Sequence, residues 1–194
     1  KDDFYSGALK GKILSSCQDT EIVELSNSVK TYNIAEAAFI LRNSYHHFPK
    51  GTVHIVAVNT QPEPECKLLA AKIDGHYFIA ADNGVFGLLG DGKSEEIVVL
   101  EADKNIEVFT FPALDIFAPA ACKIIMGEKL RDLGKSTEKF KSQVPLRATL
   151  ENNTITGTVI YIDSYGNVIT NITKEIFDRI GKDRTFEIYV QSKN

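Results

Sequence analysis

Apolar and polar positions recur with a helical period in two segments near the start of the chain. The segment Tyr5–Ser16 predicts a first helix, and a second is predicted over 34–47 behind the capping side chain of Asn33. A short strand is predicted between them, over Glu21–Leu25. This alternation of helices and strands is typical of an α/β domain.

The middle of the chain reads mainly as strands. Thr52–Val58 is continuously apolar, as in a strand that a parallel sheet covers on both faces. Leu68–Ile73 and His76–Ala80 flank Asp74-Gly75, which predicts a hairpin, and Ile97–Leu100 predicts another strand. Two further helices are predicted over 85–89 and over 116–126, the second capped by Asp115. The expected fold is a mixed, mostly parallel sheet with flanking helices.

The pattern changes in the last third of the chain. A polar connector over 134–145 is followed by alternating segments at Thr154–Asp163, Asn167–Ile172 and Thr185–Val190, with a short helix at Lys174–Ile180. We therefore expect an α/β domain over 1–133, a linker over 134–145 and a small antiparallel β domain over 146–194.

Composition excludes several classes of protein. The 194 residues carry a net charge of −4, which supplies no field for nucleic-acid phosphates, and no apolar run is long enough to cross a bilayer. Cys17, Cys66 and Cys122 are scattered, so we expect free thiols in the reducing cytoplasm. The four histidines lack metal-ligand spacing, so no metal is expected.

Polar residues interrupt the pattern at strand ends and helix starts, where α/β proteins bind ligands. Asp3 precedes the first helix, Asn59 ends the most apolar strand, and Asp82-Asn83-Gly84 opens a helix. Each has a plain structural alternative: favourable helix-dipole electrostatics, a strand end and an ordinary turn.

A fourth polar site lies at a predicted hairpin tip. Asp163 and Asn167 could hold an amino acid there, with the carboxylate accepting from its ammonium group and the amide donating to its carboxylate. The alternative is a plain hairpin. The catalytic motifs G-x-S-x-G and G-x-G-x-x-G are absent from the sequence.

Five stretches that include these sites follow one another in order: Asp3-Phe4-Tyr5-Ser6-Gly7-Ala8-Leu9-Lys10-Gly11, Phe48-Pro49-Lys50-Gly51-Thr52-Val53-His54, Ala81-Asp82-Asn83-Gly84, Asp115-Ile116-Phe117-Ala118-Pro119-Ala120-Ala121, and Ile162-Asp163 through Gly166-Asn167 to Thr170-Asn171-Ile172. In this order they resemble the S-adenosylmethionine hydrolase (hydroxide adenosyltransferase) family, which is related to fluorinase and chlorinase.

The resemblance implies an α/β N-terminal domain and a β-barrel-like C-terminal domain. It also implies a homotrimer that binds S-adenosylmethionine between one subunit's N-domain and its neighbour's C-domain, without a cofactor. Water, hydroxide or halide attacks the ribose C5′ in this family, and the hydrolase branch yields adenosine and L-methionine.

The resemblance also assigns residues to the ligand. Asp3 would meet the ribose hydroxyls, and Tyr32 would stack near the nucleoside. The remaining contacts would be Asp82, Asn83 and Gly84 beside the nucleoside, and Asp163 and Asn167 on the methionine ammonium and carboxylate.

The sequence departs from the family where the hydrolase branch holds its attacking water with Asp, Arg and His. Those positions match Asn59, Cys66 and Pro112, with Lys67 as the only cation nearby, and the halide-binding Ser of fluorinase matches Ala113. Asn59 is thus a weak catalytic candidate, because an amide is no base. The hypotheses are an S-adenosylmethionine hydrolase, an impaired homologue that binds or senses S-adenosylmethionine or adenosine, and a homologue that has lost the ligand.

The resemblance finally predicts that the chain lacks two parts of the family's fold. These are a first strand with a T-D-F-G-like signature, whose Asp binds ribose, and the end of the C-terminal domain.

Overall fold

The computed structural model describes residues 3–60, 66–89, 94–101, 111–141, 143 and 146–190. The chain divides into two compact units, Lys1–Val144 and Pro145–Asn194.

The N-terminal unit is built on a five-stranded sheet with the strand order β1-β3-β2-β4-β5. Its strands are β1 (Val53–Val56), β2 (Leu68–Ile73), β3 (His76–Ala81), β4 (Ser94–Leu100) and β5 (Gly134–Ser136). The predicted hairpin is confirmed as β2–β3, and β1 runs parallel to β3. A mixed sheet is thus confirmed.

The expectation of a mostly parallel sheet is wrong for the described residues, where β1–β3 is parallel and the other three pairings are antiparallel. Within the described sheet, β1 is an edge strand and His54 is its one buried residue, so its apolar run does not record a strand covered on both faces. The tight Asp74-Gly75 turn forces β2 to run against β3, and β4 then pairs with the other edge of β2.

The first residues of the predicted linker belong to this sheet, because β5 pairs with β4. A Cβ at Gly134 would lie 1.9 Å from the carbonyl oxygen of Val99, so only glycine fits at this close approach.

Helices cover both faces of the sheet. They are α1 (Tyr5–Ser16), α2 (Ile34–Ser44), α3 (Val85–Leu88) and α4 (Ala118–Ile125). Alternate strand residues separate two buried clusters: Leu69, Ala71 and Phe78 pack with α2 and α3, whereas Ala70 and Ile79 pack with α4. Helix α1 packs on α4. The core therefore consists of one sheet between two helical layers.

Three local predictions for this unit need comment. Helix α1 has the predicted bounds, and α2 continues as a single 3₁₀ turn over Tyr45–His47. The strand predicted at Glu21–Leu25 is wrong, since that segment has no strand structure. Asp115 does not cap a helix but lies in a π-helical turn, Ala113–Phe117, because Pro119 has no N–H to donate to the carbonyl of Asp115.

The C-terminal unit contains two separate two-stranded antiparallel sheets. These are β6 (Thr149–Glu151) with β7 (Thr154–Thr156), and β8 (Val159–Ile162) with β9 (Val168–Thr170), followed by α5 (Lys174–Ile180). Helix α5 is confirmed, and Thr173 caps it by accepting a bond from the backbone N–H of Ile176.

Two strand predictions for this unit are wrong. The segment Thr154–Asp163 splits into two strands. Between them, the backbone N–H of Thr158 donates to Oδ1 of Asn171 at 2.7 Å instead of to a neighbouring strand. Thr185–Val190 pairs with no strand among the described residues. No closed barrel is found in the part of the chain that the structure describes, and the barrel stays a prediction. None of the described helices has the length and apolar character needed to cross a membrane.

Candidate functional site

Polar residues from three chain segments meet at one edge of the N-terminal sheet. Strands β1 and β3 are parallel, so their carboxyl ends lie at the same edge, and the antiparallel β2 begins there. We call the residues at this edge the strand-end cluster: Asn59, Cys66, Lys67, Asp82, Asn83 and Gly84. Ligands of α/β sheets bind outside the carboxyl ends of strands.

Asn83 joins the two parallel strand ends. Its Nδ2 donates to the carbonyl oxygens of Val58 at 2.8 Å and Asn59 at 3.1 Å. Its Oδ1 accepts from the backbone N–H of Val85, the first residue of α3, at 3.1 Å. The sequence predicts a turn here, and the structure adds a connection to the end of β1.

Asp82 is the buried carboxylate of the cluster, with 6% of its surface exposed. Its Oδ1 accepts from the backbone N–H of Lys141 at 2.6 Å, and its own N–H donates to the carbonyl of Lys67 at 2.7 Å. Asp82 therefore ties the start of β2 and the connector to this edge. A buried carboxylate needs such donors, because desolvation otherwise disfavours its charge.

Gly84 is required by the backbone of the same turn. Its φ of +102° lies in the left-handed region, and a Cβ there would come within 2.6 Å of Cγ of Gln143. The glycine lets the chain enter α3 directly after Asn83.

Asn59 and Cys66 occupy positions that the resemblance pairs with an Asp and an Arg. Asn59 has a left-handed φ of 51°, which asparagine tolerates better than most residues. Cys66 is half-buried, precedes β2 and contacts the carbonyl of Lys67 through Sγ at 3.9 Å. The structure brings both positions to one edge, but they supply an amide and a thiol instead of a carboxylate and a guanidinium.

Asp3 lies in a second group, at the start of α1. Its Oδ1 accepts from the backbone N–H of Tyr5 at 3.2 Å, and the Tyr5 ring lies 4.9 Å from that of Phe111 between centroids. Pro112 follows Phe111 directly and is buried. The start of α1 thus contacts, through Tyr5, the residue next to the position that resembles the family's His. Tyr5 and Phe111 are not among the site residues predicted from the sequence, although Tyr5 lies within the first matching stretch.

Tyr32 lies in the turn before α2, with a left-handed φ of 63° and 58% of its surface exposed. Its carbonyl accepts from the N–H of Ile34. Among the described residues, no hydrogen bond or ring contact joins Tyr32 to Asp3 or to the strand-end cluster.

Asp163 and Asn167 do come together, in the hairpin tip between β8 and β9 of the C-terminal unit. Asp163 Oδ2 accepts from Nδ2 of Asn167 at 2.7 Å, and Oδ1 accepts from the backbone N–H groups of Asn167 and Tyr165. These donors, the Asn167 amide first, hold the pKa of Asp163 below its ordinary value. The two side chains bind each other in this geometry, as in the plain-hairpin alternative.

The sequence analysis also missed a buried histidine pair. Nε2 of His54 on β1 lies 3.4 Å from Nδ1 of His76 on β3, and Tyr45 and Phe78 pack around them. Burial, followed by the neighbouring His76, lowers the pKa of His54 to about 4, and burial also lowers that of His76. Within the described ranges, no group of three or more His, Cys, Asp or Glu residues could hold a metal ion.

Comparison with known proteins identifies the family. The model of the SAM hydroxide adenosyltransferase N-terminal domain matches residues 1–134, and that of the C-terminal domain matches residues 157–194. The chain belongs to the SAM hydroxide adenosyltransferase family. The predicted resemblance is therefore confirmed, and the family uses S-adenosylmethionine as its substrate.

Relatives of this chain carry two activity names. It is 27% identical to the (R)-S-adenosyl-L-methionine hydrolase of Methanocaldococcus jannaschii over 88% of this chain and 63% of the relative. It is 25% identical to the enzyme of that name from Salinispora tropica, over 86% of this chain and 66% of the relative. It is also 22% identical to a fluorinase of Actinopolyspora mzabensis, over 89% and 68%. The chain thus spans slightly less than two thirds of the two hydrolases.

Solved structures agree on the fold. A conserved protein of Thermotoga maritima superimposes with a TM-score of 0.84 at 29% identity, over 94% of this chain and 72% of that protein. A second, from Thermus thermophilus, has a TM-score of 0.68 at 24% identity, over 89% and 70%, and supports the fold alone.

Proposed function

We propose that this member of the family hydrolyses S-adenosylmethionine to adenosine and L-methionine. The observation that carries the proposal is the strand-end cluster, which gathers Asn59, Cys66 and Asp82 at the ligand-binding edge of a sheet in a chain of this family. In the proposed complex, the nucleoside lies against Asp3, Tyr32 and the Asp82–Gly84 turn. Asp163 and Asn167 hold the methionine part, and these sites are completed between subunits of a cytoplasmic homotrimer.

In this reaction the protein mainly has to position the attacking water and the substrate. The oxygen of water attacks C5′, the C5′–S bond breaks, and its electron pair neutralises the sulfonium to give the thioether of methionine. The attacking water loses its proton to solvent. Because the positive charge on sulfur disappears in this step, a desolvated site and an aligned water supply most of the catalysis.

A second candidate function is binding without turnover, and the side chains at three positions favour it. Asn59 has an amide in place of a base, Cys66 has a thiol in place of a positively charged guanidinium, and Pro112 has no side-chain donor or acceptor. A general base contributes about 10²–10⁴-fold to a reaction rate, so an enzyme that has lost its base turns over more slowly by that factor. Such a protein would sense S-adenosylmethionine or adenosine.

One experiment separates the two functions. The full-length protein is incubated with S-adenosylmethionine, and adenosine and methionine are quantified by chromatography while binding is measured by calorimetry. Equal amounts of both products are expected for the hydrolase. Heat of binding without products establishes the sensor instead, and absence of both signals contradicts both functions.

The variant Asn59→Asp sharpens the test by restoring a carboxylate. We expect adenosine formation to rise at least about a hundredfold, the lower end of the range for a positioned base. Asn153→Asp is the matched control, since Asn153 also has a left-handed φ, of 62°, but lies in the exposed turn between β6 and β7. An equal rise in both variants, or none at Asn59, would contradict the role proposed for this position.

A further inference from the structure

The carboxamide of Asn83 is fully used by the protein as a donor. A side-chain amide carries two N–H groups, and those of Asn83 point to two acceptors, the carbonyl oxygens of Val58 and Asn59. No donor remains for a ligand. The one acceptor bond, from the N–H of Val85, fixes the side chain to the start of α3.

The segment that Asn83 holds has a conformation that needs support. Asn59 has a left-handed backbone with φ of 51°, a region that L-residues rarely adopt, although asparagine tolerates it better than most. Strained backbone persists where the surrounding structure fixes it. The two bonds from Asn83 end on the carbonyls at either side of the Asn59 N–H and Cα, so they fix both peptide planes that set its φ and ψ.

The side chain of Asn59 is available for other contacts. Within the described residues, the carboxamide of Asn59 has no hydrogen-bond partner, in contrast to that of Asn83. Asn59 is also the residue whose position matches the water-holding Asp of the family.

We infer that Asn83 is a positioning residue that acts through Asn59, setting its left-handed backbone so that its side chain faces the reacting atoms. This inference rests on the proposed function, and it reassigns Asn83 from a ligand contact to the support of one. Asp82 and Gly84 are unaffected by it.

The first arm of the test needs no activity. Asn83→Asp removes both donors but keeps the acceptor for Val85, and Asn83→Ser is the smaller variant should a second carboxylate beside Asp82 prevent folding. The ¹³C shifts of the Asn59 Cα and carbonyl report its backbone, and we expect them to leave their left-handed values in both variants. Asn43→Asp is the control, because Nδ2 of Asn43 also donates to a backbone carbonyl, that of Phe39 on α2. Unchanged Asn59 shifts would overturn the inference.

The second arm is a double-mutant cycle with Asn59→Ala. If Asn83 acts through Asn59, adding Asn83→Asp to Asn59→Ala changes the rate of adenosine formation by less than about twofold, although Asn83→Asp alone lowers it about tenfold. In the single variant the Kd for S-adenosylmethionine is expected to stay within about twofold of wild type. If the wild type binds without turnover, the ¹³C shifts of Asn59 in the first arm decide the inference.

The outcomes distinguish the inference from the function. A wild type that neither binds nor converts S-adenosylmethionine contradicts the proposed function, while the shifts of Asn59 still decide whether Asn83 sets its backbone. Additive effects in the cycle, or a loss of binding in Asn83→Asp that persists without the Asn59 side chain, would show that Asn83 contacts the ligand itself.

Discussion

The two places where ligand contacts were predicted differ in what supports them. The strand-end cluster lies on strands whose side chains are largely buried between two helical layers, as for Phe78 and Ile79 on β3. The hairpin tip of Asp163 and Asn167 lies on β8 and β9, and no described residue of the C-terminal unit is buried. Large apolar side chains of these strands, such as Ile162 and Val168, are more than half exposed.

Their hydrogen bonds differ in the same way. Besides the local bond from Val85, the side chains of Asn83 and Asp82 bond to residues 24 to 59 positions away, whereas Asp163 bonds within its own five-residue turn. The first site therefore depends on the packed fold, and the second on local chain geometry. Changes in the sheet should disturb the strand-end cluster, and changes in the strands of the hairpin should matter much less.

The largest expected difference is in the free energy of unfolding when a side chain is truncated in the N-terminal sheet or in the β8–β9 hairpin. Phe78→Ala removes a ring that is 1% exposed and should lower the free energy of unfolding of the N-terminal unit by about 3–5 kcal/mol. Val168→Ala, at 57% exposure, should cost about 0.5 kcal/mol or less. Urea denaturation followed by circular dichroism measures both. Comparable losses of unfolding free energy in the two variants would contradict the proposed difference between the sheet and the hairpin.

Acid should destabilise the N-terminal unit through its buried histidines. The pKa of His54 is about 4 in the folded protein, against about 6.5 in the unfolded chain, where nothing buries it. The unfolded state binds the proton first, so the stabilisation is complete above pH 6.5 and is lost as pH falls toward 4. The expected loss of unfolding free energy over this range is about 2 kcal/mol.

Measurement of the urea midpoint at several pH values tests this linkage. His54→Gln should flatten the pH dependence between pH 6.5 and 4, since an amide does not titrate there. The matched control is His47→Gln, because His47 is exposed. A slope that survives in His54→Gln would assign the acid sensitivity to other groups.

Local features of the sequence predicted local structure well. The bounds of α1 and α5 follow from apolar spacing, and the Asp74-Gly75 turn defines the β2–β3 hairpin. Glu21–Leu25 and Thr185–Val190 contain β-branched residues typical of strands but have no partner strand among the described residues, because composition records only the preference of a segment.

The local turns of the candidate site could be predicted from the sequence, but the hydrogen bonds between distant segments could not. Spacing indicated a turn at Asp82–Gly84 and a hairpin tip at Asp163–Asn167, and both are present. The bonds from Asn83 to Val58 and Asn59 depend on β1 lying beside β3, with β2 on the other side. That order is decided by packing of the whole sheet, which no local pattern encodes.

The smallest expected effect belongs to the hairpin tip. The Asn167 amide, followed by the backbone N–H groups, holds the pKa of Asp163 below its ordinary value, so the stabilisation exists above the unfolded pKa and is lost as pH falls through the folded one. In NMR titrations, the side-chain amide of Asn167 should report a midpoint below about 3.9. In Asn167→Ala, the Asp163 carboxyl should titrate closer to that value, whereas Asn152→Ala in another turn should leave it unchanged. An unaltered midpoint in Asn167→Ala would mean that the two side chains do not pair in solution, which would leave both free to bind the methionine part of a ligand.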